Sequence, residues 1–136
     1  MHGTNALIEF VGEMQIVDGL EIPGKTDTPN KNPELMELLG SRFVAHPPNM
    51  SIKVKVNDKS HPITKDLNDF EIFDEPYYCE FSDGIKVLLE SRYTDDADAY
   101  VNSSWKEDIP RPQMYLHKVG KAVSYTHLRA HETTSD

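Results

Sequence analysis

The sequence predicts one domain of mixed α and β structure, on three observations. Residues 32–40 carry a full set of helix start and stop signals. Between residues 41 and 93 the hydrophobic pattern changes from helical spacing to alternation, the mark of half-buried strands. Clusters of Gly, Pro, Asp and Asn punctuate the apolar runs. A length of 136 residues suffices for one domain and one modest core.

In chain order, Gly3, Thr4 and Asn5 form a small-residue turn, and Thr4 or Asn5 is placed to cap a short helix through Phe10. Residues 18–33, rich in Gly, Pro, Asp and Asn, read as a long excursion loop. In the segment 32–40, Asn32 is an N-cap, Pro33 the first helical residue, and Glu34 an acid at the positive helix end. Gly40 is the stop, and Leu35, Leu38 and Leu39 are the expected buried stripe. A short apolar strand, "SRFVAHP", then ends at His46-Pro47-Pro48. In "SIKVKVND", Ile52, Val54 and Val56 alternate with Lys53, Lys55 and Asn57, giving a strand with one wet face. "FEIFDE" is a third strand, and "YYCEF" continues it past a bend or edge imposed by Pro76. "IKVLLESRY" is the clearest strand, residues 94–112 are acidic and irregular, and "QMYLHKVG" is a last strand.

The formal net charge is −9, with acids spread along the chain, as on a solvated acidic surface. Such a field repels nucleic acid and anionic membranes, and no basic patch with interleaved aromatics offsets it. No run approaches the roughly 20 apolar residues that cross a bilayer. Neither nucleic acid nor membrane is therefore an expected partner. Cys79 is the only cysteine, which removes internal disulfides and cysteine-rich zinc sites; its setting, Tyr-Tyr-Cys-Glu-Phe, reads as a buried small hydrophobe.

The segment "VSYTHLRAHET", residues 123–133, breaks with what precedes it and is similar to one reading frame of a transposon-type sequencing adaptor. On that reading residues 1–122 are the domain, residues 123–136 are a non-native tail, and His127, Arg129 and His131 are not site candidates. The charge without the tail is −8, so the acidic character stands.

Several ordered pieces between His2 and about Gly120 carry a family resemblance: "HGTNA", "ELLGSRFVAHPP", "KVKVNDKSHPITKDLNDFEIFDEPYY", "VLLESRY" and "RPQMYLHKVGKA". In this order and rough spacing they resemble the ThuA-like (trehalose-utilisation) family. The resemblance implies a class I glutamine amidotransferase-like fold, an α/β flavodoxin-like doubly wound sheet. That fold needs a βαβ half before the His-Gly step, so the chain is expected to be a fragment with its N-terminal half missing. With the true start expected upstream, the compartment stays open between cytoplasm and periplasm. The oligomeric state is equally open.

The resemblance also implies a sugar-handling site. Amidotransferases place a nucleophilic Cys at a tight strand-to-helix turn, whereas this family places His there, here His2. Imidazole shuttles protons near neutral pH or binds a metal but does not replace a thiolate in acyl transfer, so glutamine amide transfer is rejected. His46 follows a strand end, where ligand sites of open α/β sheets gather. Asp74 and Glu75, adjacent on a strand, point to opposite faces unless Pro76 bends the chain. Glu75 is expected to reach the pocket and Asp74 to contact a hydroxyl or pair with a neighbouring group. Tyr77 offers a ring to stack on a sugar and an O–H to donate, while His61 either fixes its "HPIT" loop or meets substrate. The candidate catalytic residues are therefore His2, His46 and Glu75, and the candidate substrate-binding residues are Tyr77, His61 and Asp74. These donor types suit a divalent metal such as Zn²⁺ or Mn²⁺, without any close ligand spacing to specify one. A small-molecule sugar is the expected ligand. The roles left open are an enzyme of trehalose, disaccharide or keto-glycoside catabolism, a non-catalytic carbohydrate-binding module, and a structural domain.

Overall fold

A computed structural model describes residues 6–22 and 24–128 of the chain. Its first elements are short strands of an N-terminal arm: β1 (Glu9–Val11), β2 (Gln15–Val17), β3 (Leu20–Ile22) and β4 (Lys25–Asp27). β1 and β4 pair antiparallel, Phe10 opposite Thr26, and β2 and β3 form a hairpin. Asp18 and Gly19 turn that hairpin with φ of 52° and 79°, the left-handed conformation that an Asp-Gly pair adopts in a tight primed turn. The expected excursion loop thus contains two strands, and the expected helix through Phe10 is replaced by β1. Pairing with β4 decides the outcome, which a cap-and-propensity argument does not see. Phe10, Ile16 and Leu20 remain largely exposed, so the arm is held more by backbone pairing than by burial.

The one helix among the described residues, α1 (Pro33–Leu39), starts and stops as its sequence dictates. The Asn32 side chain accepts from the Leu35 N–H at 3.2 Å, and Gly40 closes the C-terminus at φ 85°. The buried face differs from the expected leucine stripe. Met36 is buried while Leu35 and Leu38 are exposed. The helix is pinned at its C-terminal end instead: Tyr115 donates its O–H to the Leu39 carbonyl at 2.8 Å, and His117 Nε2 lies 2.9 Å from the Glu37 carbonyl oxygen. A seven-residue helix held this way has its rotation set by the sheet behind it.

The remaining strands are β5 (Ser41–Ala45), β6 (Met50–Val56), β7 (Phe70–Asp74), β8 (Tyr78–Phe81), β9 (Lys86–Ser91), β10 (Arg111–Val119) and β11 (Ala122–His127). Five of them make one sheet in the order β11-β10-β9-β6-β7, and β5 pairs with β8 in a separate ribbon. β6 alternates as expected, with Ile52, Val54 and Val56 buried and the lysines outside. Together with Phe43, Val44, Ala45, Tyr78, Leu88, Leu89 and Met114 they form the core. Each such aliphatic or aromatic side chain contributes roughly 1.5–3 kcal/mol by leaving water.

The architecture is α/β with strands predominating. All named strand pairs among the described residues are antiparallel; the doubly wound parallel sheet implied by the resemblance is not what these residues build. Short connections account for the β10–β11 hairpin, whereas β6–β7 and β9–β10 pair antiparallel across longer connections that carry no helix. Residues 123–127, assigned by sequence to a foreign tail, lie in β11 at the sheet edge, register Val119↔Ala122 to Met114↔His127. Most of β11 is exposed, so it adds ladder hydrogen bonds and little core.

Gly40 is the local constraint most open to test. A Cβ there would meet Tyr115 Cε2 at 2.9 Å and His117 Cγ at 3.1 Å, on a backbone already in the left-handed region. Gly40→Ala is expected to lower unfolding stability by about 1–3 kcal/mol, measured by urea denaturation; an unchanged midpoint would contradict the packing described.

Candidate functional site

β5 runs through the core and ends at Ala45, which is fully buried. Pro47 has no N–H for a ladder, so His46-Pro47 takes the chain out of the ribbon and leaves the imidazole at the strand's end. His46 Nδ1 lies 2.7 Å from the Pro47 carbonyl oxygen. A carbonyl only accepts, so Nδ1 carries the proton and Nε2 is the ring nitrogen left for chemistry.

The partner comes from the break between β7 and β8. Asp74 closes β7, is buried, and accepts the Glu75 N–H on Oδ1 at 2.9 Å. Pro76, fully buried, then redirects the chain. Glu75 Oε2 consequently sits 3.8 Å from His46 Nε2, with both side chains mostly shielded from solvent. At that separation the two attract as charges when His46 is protonated, and a hydroxyl or water can bridge them.

Aromatic rings enclose the pair. Phe43 packs edge-on against Tyr77, ring centroids 4.8 Å apart, and against Tyr100 at 5.7 Å. His46 lies 5.1 Å from Tyr100 and 6.1 Å from Tyr77. Burial, reinforced by the nearby Glu75 charge, raises Tyr77 well above the ordinary tyrosine range and pushes Tyr100 up to about 12. Both hydroxyls therefore stay protonated at neutral pH and remain hydrogen-bond donors.

Of the residues singled out by sequence, His46, Glu75 and Tyr77 are brought together, with Asp74 supporting the turn between them. His61 serves its own loop: its Nδ1 accepts the Ile63 N–H at 3.1 Å, and its carbonyl accepts from Thr64 and Lys65. His2 lies outside the described residues. Among the described residues, no group of three or more His, Cys, Asp or Glu is arranged to hold a metal ion. His46 and Glu75 supply two donors of the kind such an ion takes.

Sequence reasoning missed Phe43 and Tyr100. Phe43 is indistinguishable in sequence from any core strand residue. Tyr100 is the lone aromatic between Tyr93 and Trp105 in an acidic stretch, a weak signal that it is anchored. Its anchor is β4: Thr26 donates to the Ala99 carbonyl at 2.8 Å and accepts from the Val101 N–H at 2.9 Å, making a parallel bridge at Tyr100.

These environments set a pH dependence. Tyr100 titrates near 10 when unfolded and near 12 when folded, so between those values the unfolded chain loses its proton first. Stability is then intact below pH 10 and falls as pH rises toward 12. Tyr77, Tyr93 and Tyr115 are raised in the same direction by burial and add to the slope. Tyr100→Phe should flatten the decline measured by denaturant unfolding across this window; an unaltered slope would show that Tyr100 is not buried as described.

Among the described residues, no helix is long and apolar enough to cross a membrane. Comparison with curated proteins gives no match, and neither does comparison with solved structures. A comparison with models of protein families matches residues 23–134 to ThuA, described as trehalose utilisation. That span takes in β4 through β11 and every described member of the His46 group, and it shows that the chain belongs to the ThuA trehalose-utilisation family.

Proposed function

We propose that the protein acts on trehalose or a related disaccharide or keto-glycoside, with the His46 group as the reacting site. One observation carries this reading: an imidazole Nε2 and a carboxylate 3.8 Å apart, ringed by Phe43, Tyr77 and Tyr100. On the keto-glycoside, the one of these sugars with a carbonyl, proton transfer beside that carbonyl needs a base near neutral pH and a donor for the developing oxyanion. His46 Nε2 takes the proton, Glu75 balances the resulting imidazolium, and a tyrosine O–H donates to the carbonyl oxygen. The aromatic walls meet the apolar face of the sugar and lower the water content around the charges. His2, as the family's counterpart of the amidotransferase nucleophile, is the proposed second acid–base group. The doubly wound, flavodoxin-like frame belongs to this proposal and not to the observed antiparallel sheet.

A second reading, carbohydrate binding without turnover, is favoured by the same aromatic enclosure and uses the pocket unchanged. Assays of the purified protein with trehalose, related disaccharides and their keto-glycosides separate the two. For an enzyme, His46→Ala should cut turnover by about 10²–10⁴-fold and Glu75→Gln should lower it in the same direction, with ligand affinity changed far less. Affinity without turnover in the parent would support the binding module. Neither turnover nor binding with any of these sugars would remove both readings.

A further inference from the structure

A second cleft lies toward the opposite end of β5. Two grooves of about 540 and 290 Å³ share Cys79 and Trp105 as a common wall. Volumes of this order are those of small-molecule sites, about 300–1,000 Å³. Ser41, on the larger groove, stands five positions before His46, about 16 Å at the rise of an extended strand. The lining of the cleft includes none of His46, Glu75, Tyr77 or Tyr100, although its shared wall residue Cys79 pairs with Phe43 across the ribbon.

Its wall is held rigidly. Arg111, 4% exposed, donates through Nη2 to the carbonyls of Trp105 at 3.1 Å and Glu107 at 2.7 Å. Its guanidinium carbon lies 4.7 Å from the centre of the buried Tyr78 ring. The irregular acidic segment is therefore pinned to the core where it carries Trp105, the chain's single tryptophan. Arg111 Nε, also buried, has no hydrogen-bond partner among the described residues.

The chemistry of the lining selects a ligand class. Trp105, half-buried, offers an aromatic surface to both grooves. Around it stand the acceptors Glu37, Glu80 and Glu107. The two cations are already engaged: Arg42 with Glu80 and the Thr28 carbonyl, Arg111 with the two carbonyls above. An anion would meet surplus carboxylates on a chain of net charge −9. A neutral ring with one apolar face and many hydroxyls meets an aromatic wall and carboxylate acceptors at once.

We propose that the Trp105 cleft is a second saccharide-binding site, taking a neutral sugar ring beside Trp105 with its hydroxyls donated to Glu107 and Glu80. The choice of a sugar over another neutral polyol rests on the functional reading above; the location does not.

Trp105 is its own reporter. Trehalose and glucose, titrated into the full chain, should change the tryptophan emission saturably, while inorganic phosphate should not. Glu107→Gln should weaken this response about tenfold, because the neutral amide oxygen that replaces the carboxylate is a weaker acceptor, while leaving any turnover at His46 unchanged. His46→Ala should leave the Trp105 titration intact, so failure of the functional reading and failure of this one are read separately. No saturable change with either sugar well past millimolar concentration overturns the proposal. So does a response to choline in place of sugar, which would mark a cation site, and so does loss of the response in His46→Ala. Calorimetry with Trp105→Phe, whose circular dichroism first establishes folding, provides the second measurement: retained full-strength sugar binding would also overturn it.

Discussion

A tyrosine sealed from water has to put its hydroxyl on an acceptor, because an unpartnered one costs about 1–3 kcal/mol. In this protein that requirement ties the irregular segments to the sheet. Tyr78 donates to the Asp95 carbonyl at 2.6 Å, Tyr93 to the Tyr77 carbonyl, and Tyr115 to the Leu39 carbonyl at 2.8 Å. These bonds fix, in turn, the acidic segment after β9, the chain just beyond Pro76, and the end of α1. The His46 group depends on the first two. Without them Glu75 and Tyr77 would sit on a looser connection, while Tyr100 is held separately by Thr26 of β4, and a loop's ordering entropy would have to be overcome at each binding event.

The same arrangement reconciles a polar site with a small core. Asp74 closes β7 opposite Met50, and Glu75 and His46 each lie just past a strand end and before a proline, so no ladder is broken to place them. The apolar parts of Phe43, Tyr77 and Tyr100 continue the core outward to the His46 ring. The Tyr77 and Tyr100 hydroxyls stay protonated because burial and the Glu75 carboxylate both oppose tyrosinate. The site therefore brings together one imidazole, one carboxylate and neutral tyrosine donors.

Much of this was legible in the residues. Asn32-Pro33 and Gly40 mark α1 because caps act locally, and the alternation from Ile52 to Val56 marks β6 because one face is wet. Pro76 announced the break that turns Glu75 inward. The arm was not legible: β1 and β4 are three residues each, and their pairing is a long-range event that propensity cannot report. Nor was the orientation of α1, since Met36 is buried through the C-terminal anchors at Tyr115 and His117, far along the chain. The strand directions implied by the resemblance are not those of the described residues, because the pairings of β6 with β7 and of β9 with β10 are long-range contacts that strand composition does not report. Tyr100 escaped notice because its position is dictated by Thr26, more than seventy residues away.

The central claim is that His46, Glu75 and Tyr100 line one pocket that receives a sugar. NMR observation of the His46 and Tyr100 ring resonances during a titration with trehalose, or with its keto-glycoside, tests it most directly. Both rings should shift together and saturate at one shared ligand concentration. Rings that move at unrelated concentrations, or a His46 signal that ignores the sugar while the protein demonstrably binds it, would contradict the account.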